Sequence, residues 1–104
     1  MEVKKLTERL SVSPQVLADD IADLKAQGFR AIVCNRPDGE GTDQPTFTEI
    51  EVEAKKHGIE AVYIPVVAGK VVDTEADAFG AALETLPGPV LAYCRTGMRS
   101  ATLW

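Results

Sequence analysis

The sequence predicts an α/β fold, a small parallel sheet flanked by helices, and two observations carry that reading. Helix-patterned segments alternate with short strands along the chain. Each strand is apolar nearly throughout, without in–out alternation, which suits a parallel sheet covered on both faces. Crossovers between parallel strands are right-handed, so an α/β sandwich is the economical arrangement.

The elements follow in order. Leu10 and Val12 add a short strand ahead of the first helix. Leu17, Ile21 and Leu24 recur at four- and three-residue spacing between Pro14 and Gln27, which marks an amphipathic helix. Gly28 is its expected C′ residue. Arg30-Ala31-Ile32-Val33-Cys34 is a buried strand, followed by a polar loop from Asn35 to Pro45. Thr46-x-x-Glu49 is a capping box for a second helix ending near Lys56, with Gly58 as its stop. His57 is read as a helix-end residue, where a cation is favoured. Ala61-Val62-Tyr63-Ile64 is the next strand, closed by Pro65. Thr74-x-x-Asp77 starts a third helix, with Phe79, Ala82, Leu83 and Leu86 on its inner face. Pro87-Gly88-Pro89 ends that helix, and Val90-Leu91-Ala92-Tyr93 is the last strand.

A chain of 104 residues is expected to form one domain, residues 1–104. A helix should begin around Gly97 to Ser100, yet the sequence stops at Trp104, so the C-terminal helix is expected to be truncated. Met1-Glu2-Val3-Lys4-Lys5 leads into no apolar h-region, and the longest apolar run is far too short for a bilayer. A cytoplasmic location with both cysteines reduced is the expectation. The formal charge of −5 argues against nucleic acid and anionic membranes as partners. No His/Cys cluster has metal-ligand spacing, so neither metal nor other cofactor is expected.

Chemistry concentrates in Cys94-Arg95-Thr96-Gly97-Met98-Arg99, between the last strand and the expected helix. Ligands of open α/β sheets bind outside the carboxyl ends of the strands, where Cys94 falls. A helix N-terminus offers unpaired N–H groups and partial positive charge, and a tight loop forms an anion nest. Arg95 and Arg99 add full charges in a chain that is acidic overall. Such surroundings make a cysteine largely thiolate at neutral pH. Gly97 lets the loop curl around an anion, and Ser100 can hydrogen-bond the thiolate or cap the helix. Thr96 and Met98 shape the mouth. The competing reading, a buried small hydrophobe at a strand end, leaves the glycine and two arginines unexplained.

Cys94, Gly97 and Arg99 form Cys-x-x-Gly-x-Arg, and the loop resembles that of rhodanese-type sulfurtransferases. The wider chain resembles the β-lactamase-hydrolase-like protein, phosphatase-like domain family. The segments that carry this are Cys34-Asn35-Arg36-Pro37-Asp38-Gly39-Glu40, Gln44-Pro45 and Gly88 through Ser100. The resemblance implies a tyrosine/dual-specificity-phosphatase-like fold. It also implies work on sulfane sulfur, with fusion to or association with a persulfide dioxygenase.

Two chemistries suit one thiolate. In sulfur transfer, Cys94 takes sulfane sulfur from thiosulfate or a persulfide and passes it to a thiol; the leaving anion needs no general acid. In phosphate-ester hydrolysis, Cys94 takes the phosphoryl group and the leaving oxygen must be protonated. Phosphatases carry Cys-x5-Arg, whereas Arg99 stands one residue early and Ser100 occupies the expected arginine position. Spacing therefore puts the sulfurtransferase first, with a phosphatase acting on phosphotyrosine or small phosphomonoesters as the alternative. Asp73, on the loop after the Ala61–Ile64 strand, is the best candidate general acid, although its position favours a solvated residue before the Thr74 cap. Arg36 and Asp38, with Glu40, follow a strand at its carboxyl end, either lining the same crevice or making a polar turn. Cys34 is read either as facing Cys94 in a sulfur relay or as a buried hydrophobe.

Overall fold

A computed structural model describes residues 3–42, 44–66 and 73–95. Among these, five strands form one sheet. In chain order they are β1 (Lys4–Lys5), β2 (Leu10–Ser13), β3 (Ala31–Cys34), β4 (Glu60–Tyr63) and β5 (Val90–Tyr93). They lie side by side in the order β1-β2-β5-β3-β4. Only β1 runs antiparallel, with Lys4 opposite Val12; the other pairs are parallel. The α/β architecture with flanking helices is therefore as the sequence reads.

Three helices complete the described chain: α1 (Asp20–Ala26), α2 (Phe47–Lys56) and α3 (Asp73–Thr85). Strand alternation decides which helix each side chain meets. Ile32, Cys34, Leu91 and Tyr93 point to one face and pack with Ile21 and Leu24 of α1 and Ile50 and Ala54 of α2. Ala31, Val33, Val90 and Ala92 point to the other, against Phe79 of α3 and Leu86 just beyond it. Both faces of β3 and β5 are buried, which is why these strands carry no polar residue. Each fully buried aliphatic side chain there contributes roughly 1.5–3 kcal/mol.

The helix ends follow the local signals. Thr46 is the N-cap of α2, and its hydroxyl accepts the Glu49 N–H at 3.2 Å. Gly28 and Gly58 have φ of +96° and +71° just after α1 and α2, a backbone that other L-residues resist. His57 is the C-cap of α2, with Nε2 3.4 Å from Glu53.

Three details differ from expectation. α1 begins at Asp20, because the chain first makes a tight turn with Asp20 N–H to Leu17 O and Ile21 N–H to Ala18 O. Leu17 consequently lies outside the helix and is 50% exposed. β4 is only half-buried: it is the edge of the described sheet, with Glu60 and Tyr63 exposed and Ala61 and Val62 packed partly against the two cores. Asp73 is the first residue of α3 and does not precede the helix on a loop. The expected helix after Gly97 lies outside the described residues.

Candidate active site

Cys94 stands at the carboxyl end of β5, the central strand, with β2 on one side and β3 on the other. The ladders run past the strand ends and hold it. Cys94 N–H donates to Ser13 O at 3.4 Å, and Asn35 N–H donates to Tyr93 O at 2.8 Å. The side chain is fully buried. Ser13, Tyr93 and Cys34 share one register row, so Cys94 is one residue beyond that row. Arg95 follows it and is exposed. Thr96, Gly97, Met98, Arg99 and Ser100 lie outside the described residues, as does the side chain of Asp73.

The loop after β3 is closely tied. Asn35 Nδ2 donates to Ile64 O at 2.9 Å, which joins this loop to the end of β4. Arg36 is buried and does not reach into open solvent: Nε donates to Glu40 Oε1 at 3.1 Å and Nη1 to Gln15 Oε1 at 3.0 Å. Glu40, read from sequence as lining the crevice or making a polar turn, is thus engaged by Arg36. Asp38 organises the turn: its Oδ1 accepts the Phe47 N–H at 2.8 Å, and its own N–H donates to the Tyr63 hydroxyl at 2.9 Å. Tyr63 stacks on Phe47 with ring centroids 5.0 Å apart. Gln44 closes the loop, donating to Pro37 O at 2.9 Å and accepting from Gly41 N–H at 3.1 Å.

Cys34 and Cys94 are both buried and not joined in a disulfide. The expectation that they face one another does not match the register. Cys34 is level with Tyr93, not with Cys94, and packs among the α1 and α2 side chains. The Cys34 thiol donates to Arg36 O at 3.3 Å. Burial pushes this thiol up, partly offset by the Tyr93 hydroxyl that donates to it. Burial likewise pushes the Tyr93 phenol far above its ordinary value, and the neighbouring Cys34 adds to that. Cys34 is therefore a protonated thiol at neutral pH.

Two residues at this edge escape the sequence reading, Gln15 and Tyr93. Gln15 follows Ser13-Pro14 at the end of β2, and no local signal marks it, because its contact with Arg36 depends on the strand order. Among the described residues no His, Cys, Asp or Glu cluster could hold a metal ion, and no helix is long and apolar enough to cross a membrane.

The arrangement has close relatives. A beta-lactamase hydrolase-like protein of Agrobacterium fabrum is 35% identical over all of this chain, which spans 24% of that protein. A provisionally named phosphatase of Neisseria meningitidis, solved by crystallography, superposes with a TM-score of 0.93 at 36% identity, covering 100% of this chain and 74% of that one. Pseudomonas aeruginosa TpbA, crystallised as a C132S variant with pTyr, is 19% identical with a TM-score of 0.69, over 97% of this chain and 58% of its own; it shares the fold. The sheet order, the helices on both faces and the cysteine beyond the central strand are thus a tyrosine/dual-specificity-phosphatase-like fold. Residues 2–104 match, and the chain belongs to, the beta-lactamase hydrolase-like protein, phosphatase-like domain family.

Proposed function

We propose that the chain is a cysteine-dependent phosphatase-type hydrolase acting on phosphotyrosine or a small phosphomonoester. The observation that carries this is Cys94 at the carboxyl end of β5, pinned between β2 and β3 in a phosphatase-like sheet. The Cys94 thiolate attacks phosphorus and the ester P–O bond breaks, its oxygen taking a proton from Asp73. Water then attacks phosphorus while giving a proton back to the Asp73 carboxylate, and the S–P bond breaks, returning the Cys94 thiolate and releasing phosphate. Arg95, Thr96, Gly97, Met98, Arg99 and Ser100 form the cradle for the phosphoryl oxygens. The family relationship supports phosphorus and reverses the order in which loop spacing alone ranked the two chemistries.

Sulfur transfer from thiosulfate or a persulfide, with its persulfide dioxygenase partner, is the second reading. One observation favours it: Arg99 is one residue nearer Cys94 than a phosphatase loop places it. The two separate in paired assays. Hydrolysis of p-nitrophenyl phosphate without thiocyanate formation from thiosulfate and cyanide is the expected result; thiocyanate formation alone overturns the hydrolase. Asp73→Asn is expected to slow ester hydrolysis by ~10²–10⁴. Sulfur transfer has no leaving oxygen to protonate, so it would be unaffected.

A further inference from the structure

β4 ends the described sheet, and its outer side is open. Glu60 N–H donates to Arg30 O at 3.1 Å and Ile64 N–H to Cys34 O at 2.9 Å, so residues 60, 62 and 64 turn their backbone groups towards β3. The N–H and C=O groups of Ala61 and Tyr63 therefore point outward, and they meet no hydrogen-bond partner among the described residues. The opposite edge of this sheet, β1, is guarded by Lys4 and Lys5. β4 carries no cation, and its one charged residue, Glu60, stands at its start.

We propose that β4 is a self-association surface: it pairs antiparallel with β4 of a second copy of this chain, about a twofold axis at Val62. The inference is independent of the chemistry at Cys94. Open backbone groups at positions 61 and 63 are what such a joint requires. A twofold at Val62 sets Ala61 opposite Tyr63 of the second copy, and Tyr63 opposite its Ala61, and each pair exchanges both of its N–H···O bonds. The side chains agree with the same register. Val62 meets its own copy, apolar on apolar, in the closer pair that shares no hydrogen bond. Glu60 falls opposite Ile64 rather than its own copy, so no like charges face each other along the joint. Tyr63 falls opposite Ala61, a small residue bordering an open groove between α2 and β4, so the ring has room. Glu51 and Lys55 give that groove a rim of mixed sign. Beyond these rows the ladder stops, because Pro65 has no N–H and the Ile59 N–H already donates to Ala54 O. An unrelated extended peptide would find the same open groups, but a large residue matched to a small one and Val62 matched to itself are features of this strand, and they select a second copy.

A joint this short binds weakly, and a dissociation constant on the order of 0.1 mM is expected. In sedimentation velocity the chain should run as a monomer at ~10 µM and largely as a dimer at ~1 mM. Amide exchange followed by NMR reads the register without any variant. Between those concentrations the Ala61 and Tyr63 N–H groups should slow about three- to tenfold, whereas those of Val62 and Ile64, already bonded to β3, should hold their rates. Val62→Lys and Val62→Glu should each abolish association, because each sets like charges face to face on the axis, and an equimolar mixture of the two should restore it. A chain that is monomeric at ~1 mM, exchange at Ala61 and Tyr63 that ignores concentration, or a dimer that survives Val62→Lys overturns the inference. So does a mixture that stays monomeric when circular dichroism shows both variants folded. Should either variant fail to fold, exchange in the unaltered chain decides.

Discussion

Gly41 has no room for a methyl group: a Cβ there would stand 2.8 Å from Arg36 Nη2. Such a contact is cheap when the neighbour is the loose end of a long side chain. Arg36 is not loose, since Glu40 and Gln15 hold it from two sides and its side chain is buried. Gly41→Ala is therefore expected to cost about 1–3 kcal/mol in urea unfolding, as overpacking does elsewhere; an unchanged midpoint would show that Arg36 is free to swing. The other residue at stake is Cys34. Mild peroxide is expected to give Cys94 sulfenate and no Cys34–Cys94 bridge, because Cys34 is level with Tyr93 and not with Cys94, is packed among the α1 and α2 side chains, and keeps its thiol protonated. A bridged peptide in the mass spectrum would restore the relay. At this scale the sequence is legible wherever chemistry is local. Arg36, Asp38 and Cys94 each follow an apolar run at its carboxyl end. Gln15 is not legible, since its importance depends on β2 and β3 flanking β5, an order that no local pattern encodes.

Among the elements, α2 is the one whose boundaries were most fully written in the sequence. Thr46 as the N-cap, the end at Lys56 and Gly58 as the stop each fall where they are expected to. Thr46→Ala should lower stability by about 1 kcal/mol, with a range of 0.5–2, read as a shift in the urea midpoint. Its consequences reach the site, because the first N–H of α2, on Phe47, is held by Asp38 of the β3 loop. Elements were missed where tertiary context overrides the pattern. β1 is two lysines, a sequence with no strand signal; charge is nevertheless what an edge strand carries to resist pairing with other chains. β4 looks as buried as β3 by composition, but only the sheet order shows that it is an edge. α1 is shortened because turn bonds capture residues 17–21 before the helix can start.

For the molecule as a whole, the buried Tyr93–Cys34 couple makes stability depend on alkaline pH. Both groups are neutral in the folded chain and held above their ordinary values of 10.0 and 9.0, chiefly by burial. Unfolding returns them to water, where they ionise at those ordinary values. Below about pH 8 neither state loses these protons appreciably, and the contribution of the pair is fully present. As pH rises past 9 and 10 the unfolded chain sheds protons that the folded chain keeps, so stability falls with pH and continues to fall towards the raised folded values. A plot of urea midpoint between pH 8 and 11 should therefore slope downward. Tyr93→Phe removes one titrating group while keeping the ring that fills the α1–α2 face. Its slope should be shallower than that of the parent, even if its midpoint at pH 7 is lower because the Cys34 sulfur loses a donor. Parallel slopes in the two proteins would mean that the alkaline transition is driven from elsewhere in the chain, and that Tyr93 is not held neutral by the core beneath Cys94.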